Sequence, residues 1–156
     1  MFKIRMENLF DKIVLQKYIG RIMELSKDSK PLWGKMTVDE MLAHVSVTYE
    51  MVYESQRFTK PGFVKRFILE RFIKYKVVGE KPYKKNVPTA TVFKKSGKFD
   101  FEMERKKLIG FLQKTQNLGS DAFEGKESKF FGKLSSLQWN TMFVKHLNHH
   151  LTQFGV

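Results

Sequence analysis

Three of the four histidines in this chain are spaced as the ligands of a metal site would be. His146 and His150 are four residues apart, so a helix would place both imidazoles on one face. Two such imidazoles can share a divalent ion, and a third from a facing helix makes a three-nitrogen site with room for water or substrate. His44 is the candidate for that third ligand. A closed structural site needs a fourth ligand, for which the sequence offers no certain residue.

A helical wheel separates the histidines of the last predicted helix. At about 100° per residue, His150 lies about 40° from His146, toward the apolar residues Phe143 and Leu147. His149 lies about 60° from His146 in the other direction, toward polar residues, and we predict it at the surface or behind the ligands. His44 borders the apolar stripe of another predicted helix, so three histidines are predicted to reach the interior.

A buried histidine does not require a metal. A His-x-x-x-His pair occurs by chance, and an inward imidazole can be satisfied by a backbone carbonyl or a buried glutamate. Three inward histidines would, however, place several desolvated imidazoles in a Phe-rich core, which costs free energy unless a ligand or water joins them. The residues alone leave both interpretations open.

The elements that must position these histidines are helices. Apolar residues at three- and four-residue spacings predict four long helices and one shorter segment, at 9–26, 38–56, 64–77, 100–117 and 135–154. Thr37 with Glu40, and Ser135 with Gln138, form capping boxes at two helix starts. Met103 and Leu108 are predicted core positions of the fourth of these segments, and residues 79–98 and 120–133 are predicted loops. The class is all-α, a four-helix bundle with a long crossover connection between helices 2 and 3 and an extra short helix.

Composition restricts the chemistry further. The chain has 156 residues, 15 of them Phe, and we expect a single domain over residues 1–156. It has no cysteine, which excludes disulfides, thiolate nucleophiles and thiolate metal sites. The first residues are charged, and no apolar run is long enough to span a membrane. We therefore expect a cytoplasmic protein without a membrane partner.

The net charge of +13 suggests a second class of function. A basic module could bind nucleic acid or an acidic partner, but the lysines are mixed with acidic residues and no nucleic-acid-binding motif appears. A nucleic-acid partner is therefore disfavoured, and a small-molecule substrate is expected instead. A non-catalytic helical scaffold is a further alternative function, and a homodimer is a candidate assembly.

Several motifs together resemble one family, the DinB/YfiT-like superfamily of metalloenzymes, in a branch of unknown function. The resemblance spans roughly residues 15 to 155. The residues that carry it are Pro31-Leu32-Trp33-Gly34-Lys35-Met36-Thr37, Met41-Leu42-Ala43-His44, Lys85-Asn86-Val87-Pro88-Thr89, Phe131-Gly132-Lys133-Leu134-Ser135, His146-Leu147-Asn148-His149-His150 and Gln153-Phe154-Gly155.

The resemblance implies a divalent metal, commonly nickel or zinc, held by His44, His146 and His150 at one end of a helical bundle. Characterised members of the superfamily include thiol-dependent transferases and isomerases, so the resemblance also implies an enzyme that uses a low-molecular-weight thiol. The chemistry of a divalent cation at such a site is compatible with a hydrolase of a small molecule as well as with a thiol-dependent transferase.

Three other residues are candidates for the surroundings of the metal. Gln153, one turn after His150, can orient a ligand or a bound water. Asn86, with Thr89 nearby, lies in the long connection and is predicted over the site or in a loop-capping role. Trp139 either lines a pocket or packs in the core.

Overall fold

The computed structural model describes residues 6–88, 91, 94–95 and 97–156, and its regular elements are almost all helical. The α-helices are α1 (Lys12–Met23), α2 (Val38–Tyr53), α3 (Phe63–Ile68), α4 (Lys74–Val78), α5 (Phe101–Leu118) and α6 (Ser136–Gln153). A π-helical turn, Leu69–Ile73, joins α3 to α4, and 3-10 turns lie at Ser55–Arg57 and Ser120–Phe123. The predicted all-α class is confirmed.

The two helices that carry the histidines begin where their sequences predict. At the start of α2, the Thr37 N–H donates to the Glu40 carboxylate at 3.0 Å. At the start of α6, Ser135 and Gln138 form the same reciprocal pair. Gly155, with a positive φ of 81°, follows the end of α6. The local sequence therefore fixes the ends between which the histidines are placed.

The four long helices pack around one apolar core. α2 contacts both α5 and α6, and α1 contacts α5. Arg21 of α1 also donates a hydrogen bond of 2.7 Å to Asn148 of α6. The centre of the core is aromatic, with Phe143 stacked on both Tyr49 and Trp139. As a result, the buried faces of α2 and α6 lie against each other, and a long connection leads from α2 to α5.

Two sequence predictions are wrong in detail. The predicted loop at 120–133 contains a short antiparallel ribbon of β1 (Glu127–Ser128) and β2 (Gly132–Lys133), whose two-residue strands are too short to show alternation. Met103, predicted to face the core, is 69% exposed. It lies about 140° around α5 from the buried Leu108, so it points away from the core.

The segment that follows α4 lies against α6. Lys145 of α6 donates hydrogen bonds to the carbonyls of Lys76 and Gly79, at the end of α4. This contact brings the next residues of the connection, including Tyr83, toward the middle of α6. Within the described ranges, no helix is both long enough and apolar enough to cross a membrane.

Asn140 of α6 is expected to stabilise the fold by holding the segment before α1. Its side chain is buried, accepts from the Leu9 N–H at 2.8 Å and donates to the Glu7 carbonyl at 2.8 Å. Asn140→Ala removes both hydrogen bonds and leaves the Leu9 N–H and the Glu7 carbonyl without this side chain. We therefore expect the free energy of unfolding to fall by about 1–3 kcal/mol in urea titrations. Asn117→Ala, at an exposed position of α5, is the control and should change it by about 0.5 kcal/mol at most. Equal losses in the two variants would contradict this role.

Candidate metal centre

The structure brings together the three histidines that were predicted to face inward. His44 lies in the second turn of α2, and His146 and His150 lie one turn apart on α6. His44 and His150 are buried, and His146 is half-buried. The three rings meet edge to face, with centroids 4.6 to 4.8 Å apart.

The Nε2 atoms of these rings converge. His44 Nε2 lies 2.9 Å from His146 Nε2 and 3.0 Å from His150 Nε2. One candidate ligand atom from each histidine lies within 4.8 Å of the other two. Nitrogens that bind one ion at 2.0–2.1 Å are about 3.0–3.4 Å apart, so the cluster has the dimensions of a metal site.

The Gln153 side chain determines which ring nitrogen of His150 carries the hydrogen. Its amide nitrogen donates to the Trp33 carbonyl at 2.8 Å, so its amide oxygen must face His150. That oxygen lies 2.8 Å from His150 Nδ1 and can only accept, so Nδ1 carries the hydrogen. The Nε2 atom of His150 is then left with a lone pair that points into the cluster. This is the tautomer that a metal ligand requires.

Thr48 has the corresponding position beside His146. Its Oγ1 lies 2.9 Å from His146 Nδ1 and, one turn after His44, on the same side of α2. A threonine hydroxyl can accept the Nδ1 hydrogen and leave the His146 Nε2 lone pair for the cluster. His146 and His150 therefore each have an oxygen at Nδ1 that can orient the ring.

Burial favours the neutral form of His146 and His150. Burial, together with the nearby histidines His150, His44 and His149, holds the pKa of His146 well below its ordinary value. Burial and the neighbouring His44 lower the pKa of His150 to about 3. Metal binding uses neutral imidazole, so His146 and His150 do not have to lose a proton before they bind at neutral pH.

The nitrogen cluster fits a cation better than it fits protons alone. A hydrogen on His44 Nε2 can lie along only one of its two short contacts, to His146 or to His150. His150 Nε2 has a lone pair and no hydrogen. Whichever of His44 Nε2 and His146 Nε2 carries a hydrogen, only one of the two short contacts can be a hydrogen bond of good geometry. One divalent ion accepts a lone pair from all three nitrogens. The residues present therefore fit a metal.

An aromatic and basic rim borders the cluster of His44, His146 and His150. His149 is half-buried, with its ring edge-on to Trp33 at 5.9 Å and to Tyr83 at 5.7 Å. Lys85 Nζ lies 4.1 Å from the Trp33 ring centroid, and Lys145 Nζ lies 4.6 Å from that of Tyr83. Burial and the charge of Lys85 lower the pKa of His149. We call these five residues the rim.

Of the two interpretations of Trp139, the structure shows the core packing, away from the histidine cluster. Trp139 packs against Phe123 and Phe143 in the aromatic core, and its Nε1 donates to the Lys126 carbonyl at 3.3 Å. It shares a helix face with His146 but lies two turns earlier, about 10 Å along the axis.

Asn86 lies beside the link between Gln153 and Trp33. It is exposed and has a φ of 58°, a left-handed conformation that asparagine tolerates. A Cβ added to Gly34 would lie 2.8 Å from Gln153 Nε2 and 3.9 Å from Asn86 Oδ1. Thr89 lies outside the described residues.

Sequence reasoning missed Thr48, the Trp33 carbonyl and Tyr83. Thr48 could have been found, because it follows His44 by one helical turn on the same face. The Trp33 carbonyl gives no sequence signal, since any residue has one. Tyr83 lies in a connection without periodicity, so only the fold shows that its ring reaches His146 and His149.

Comparison with known proteins gives a family for the whole chain. A family model described as "Protein of unknown function (DUF1569)" matches residues 3–155. The chain belongs to the DUF1569 family. The matched region includes both helices that supply histidines, so the complete cluster of this DUF1569 protein lies within it. No curated protein and no solved structure matches the chain.

Proposed function

We propose that this DUF1569 protein is a divalent-metal-dependent enzyme whose metal ligands are His44, His146 and His150. The observation that carries the proposal is the convergence of three Nε2 atoms, with two separations of 2.9 and 3.0 Å. The motif resemblance to the DinB/YfiT-like superfamily supports the same ligands. Nickel or zinc is the expected metal, because imidazole suits both.

A metal site of three imidazoles can supply catalytic chemistry. A divalent cation held by His44, His146 and His150 would supply Lewis-acid chemistry and would lower the pKa of a water or thiol. Gln153 holds His150 in the orientation and tautomer for binding, and the Thr48 hydroxyl can do the same for His146. The Tyr83 ring lies edge-on to His146, and the Trp33 ring lies edge-on to the neighbouring His149.

Two reaction classes are compatible with this site, hydrolysis of a small substrate and transfer to a thiol. Because the chain has no cysteine, a thiol nucleophile would have to be a low-molecular-weight cosubstrate. The charge of Lys85 acts on His149 at the edge of the site, which favours a substrate with an anionic group.

The first test of this proposal is metal content. Protein purified without a histidine tag is expected to contain one nickel or zinc ion per chain, measured by elemental analysis after dialysis against metal-free buffer. His146→Ala removes one of three ligands and should lose most of this metal. A parent protein without stoichiometric metal, even after incubation with nickel and zinc salts, would contradict the proposed site.

The second test distinguishes the reaction classes on the metal-loaded protein. Low-molecular-weight thiols are combined with electrophilic substrates, and activated esters and amides are assayed without thiol. Turnover that depends on the thiol indicates a transferase, and turnover without thiol indicates a hydrolase. In either case His150→Ala should abolish the activity, and activity that persists in this variant would place the reaction elsewhere.

A further inference from the structure

The helical stretch from residue 63 to residue 78 exposes a large apolar face. α3, the π-helical turn and α4 follow one another without a break. Phe63 is 86% exposed and Tyr75 is 63% exposed. The apolar face consists of six exposed side chains, Phe63, Val64, Phe67, Ile68, Phe72 and Tyr75. Apolar surface of this kind is costly in water, and a contiguous patch is typical of a site that binds a partner.

The other side of this stretch is anchored to the protein. Val77 and Val78 pack against the hydrophobic core. Lys145 of α6 holds the end of α4 through hydrogen bonds to the carbonyls of Lys76 and Gly79. The apolar face is therefore presented by an ordered helix in a fixed orientation.

The residues around the apolar face are strongly basic. Residues 60–76 contain six Lys and Arg but a single acidic residue, Glu70. Arg66 is paired with Glu70 at 2.7 Å, whereas the side chains of Lys65, Arg71 and Lys76 are exposed. This positive charge belongs to a chain whose net charge is +13. The partner that this surface fits is therefore both apolar and negatively charged.

We propose that the apolar face docks on an anionic phospholipid membrane surface. The helix lies in the plane of the interface, with its Phe and Tyr rings among the upper acyl chains. Lys65, Arg71 and Lys76 then contact lipid phosphates at the same level. The sequence-based expectation of no membrane partner rested on the lack of a spanning run, whereas a helix that lies on the surface needs only one apolar face.

Charge argues against a second copy of this chain as the partner. Two copies that joined through the apolar face would bring the exposed Lys65, Arg71 and Lys76 of each copy close to those of the other. Like charges across an interface oppose association. An anionic lipid surface is attracted by the same residues.

Vesicle binding tests the proposal with the full chain. We expect the protein to sediment with vesicles of phosphatidylcholine and phosphatidylglycerol with an affinity at least about tenfold higher than with vesicles of phosphatidylcholine alone. Added salt should weaken binding, because it screens the basic residues. Tryptophan or circular dichroism spectra and thermal melting confirm that each variant is folded.

Two pairs of substitutions separate the apolar and the basic contributions. Phe67→Ser with Phe72→Ser should lower affinity for the anionic vesicles at least about tenfold. Lys65→Ala with Arg71→Ala should lower it by a similar factor and reduce its dependence on salt. Leu137→Ser, at a residue of α6 that is 65% exposed and outside the face, is the matched control and should leave binding unchanged.

Three outcomes would overturn the proposal. The first is no binding to anionic vesicles at low salt, and the second is unchanged binding by the double serine variant. The third is a parent protein that sediments as a dimer and binds no vesicles, together with a double serine variant that sediments as a monomer. That result would assign the face to contact between copies.

Discussion

Replacing His150 with alanine is expected to lower the affinity for nickel or zinc at least about tenfold, while His149→Ala keeps most of it. His150 Nε2 lies 3.0 Å from His44 Nε2, with its Nδ1 held by Gln153. His149 is the adjacent residue, but its ring faces Trp33 and Tyr83. The two substitutions remove the same side chain from neighbouring positions, so each controls for the other.

Titration of the metal-free proteins with nickel or zinc, followed by calorimetry or by competition with a chelating dye, measures these affinities. Circular dichroism shows whether each variant keeps the helical content of the parent. Loss of affinity in His149→Ala and retention in His150→Ala would move the site to the other flank of α6.

A second large loss of metal affinity is expected from Gly34→Ala, although Gly34 touches no histidine. Its φ is 80°, and a Cβ built on it would lie 2.8 Å from Gln153 Nε2. The Gln153 amide would have to shift by about a few tenths of an ångström, which would disturb its hydrogen bonds to Trp33 and His150. Disturbing such a supporting contact typically costs 10- to 100-fold in metal affinity, and we expect about that range.

Gly125→Ala is the matched control for Gly34→Ala. Gly125 also has a positive φ, 69°, but a Cβ built there meets nothing within 4 Å. Both variants are expected to pay a similar cost in stability for the left-handed backbone, about 1 kcal/mol. Only Gly34→Ala should also lose metal affinity. Equal metal affinities in the two variants would show that the Gln153 contact does not support His150.

The histidine cluster could be predicted because local periodicity determines most of it. The i, i+4 spacing and the apolar residues Phe143 and Leu147 placed His146 and His150 on the inner face of one helix. The capping residues Thr37 and Ser135 determined where α2 and α6 begin. These features act within one or two helical turns, so they can be recognised in a single sequence.

Contacts between distant segments could not be predicted in the same way. The bond from Gln153 to the Trp33 carbonyl joins residues 120 positions apart, and it depends on how the loop before α2 meets the end of α6. Trp139 shares the helix face of His146, so the wheel alone could not separate a core position from a site position. The exposed apolar face at 63–75 has the same periodicity as a buried helix, and only the packing shows that nothing in the described chain covers Phe63.

The wide separation of the ligands along the chain affects the kinetics of folding. His44 is 102 residues from His146 and 106 from His150, so the three nitrogens meet only after α6 has docked on α2. A partly folded chain in which α2 has formed but α6 has not docked lacks two of the three ligands. An ion that binds only the finished site slows unfolding, but it does not accelerate steps that precede the docking of α6. A bound metal would therefore prolong the lifetime of the native state without speeding its formation.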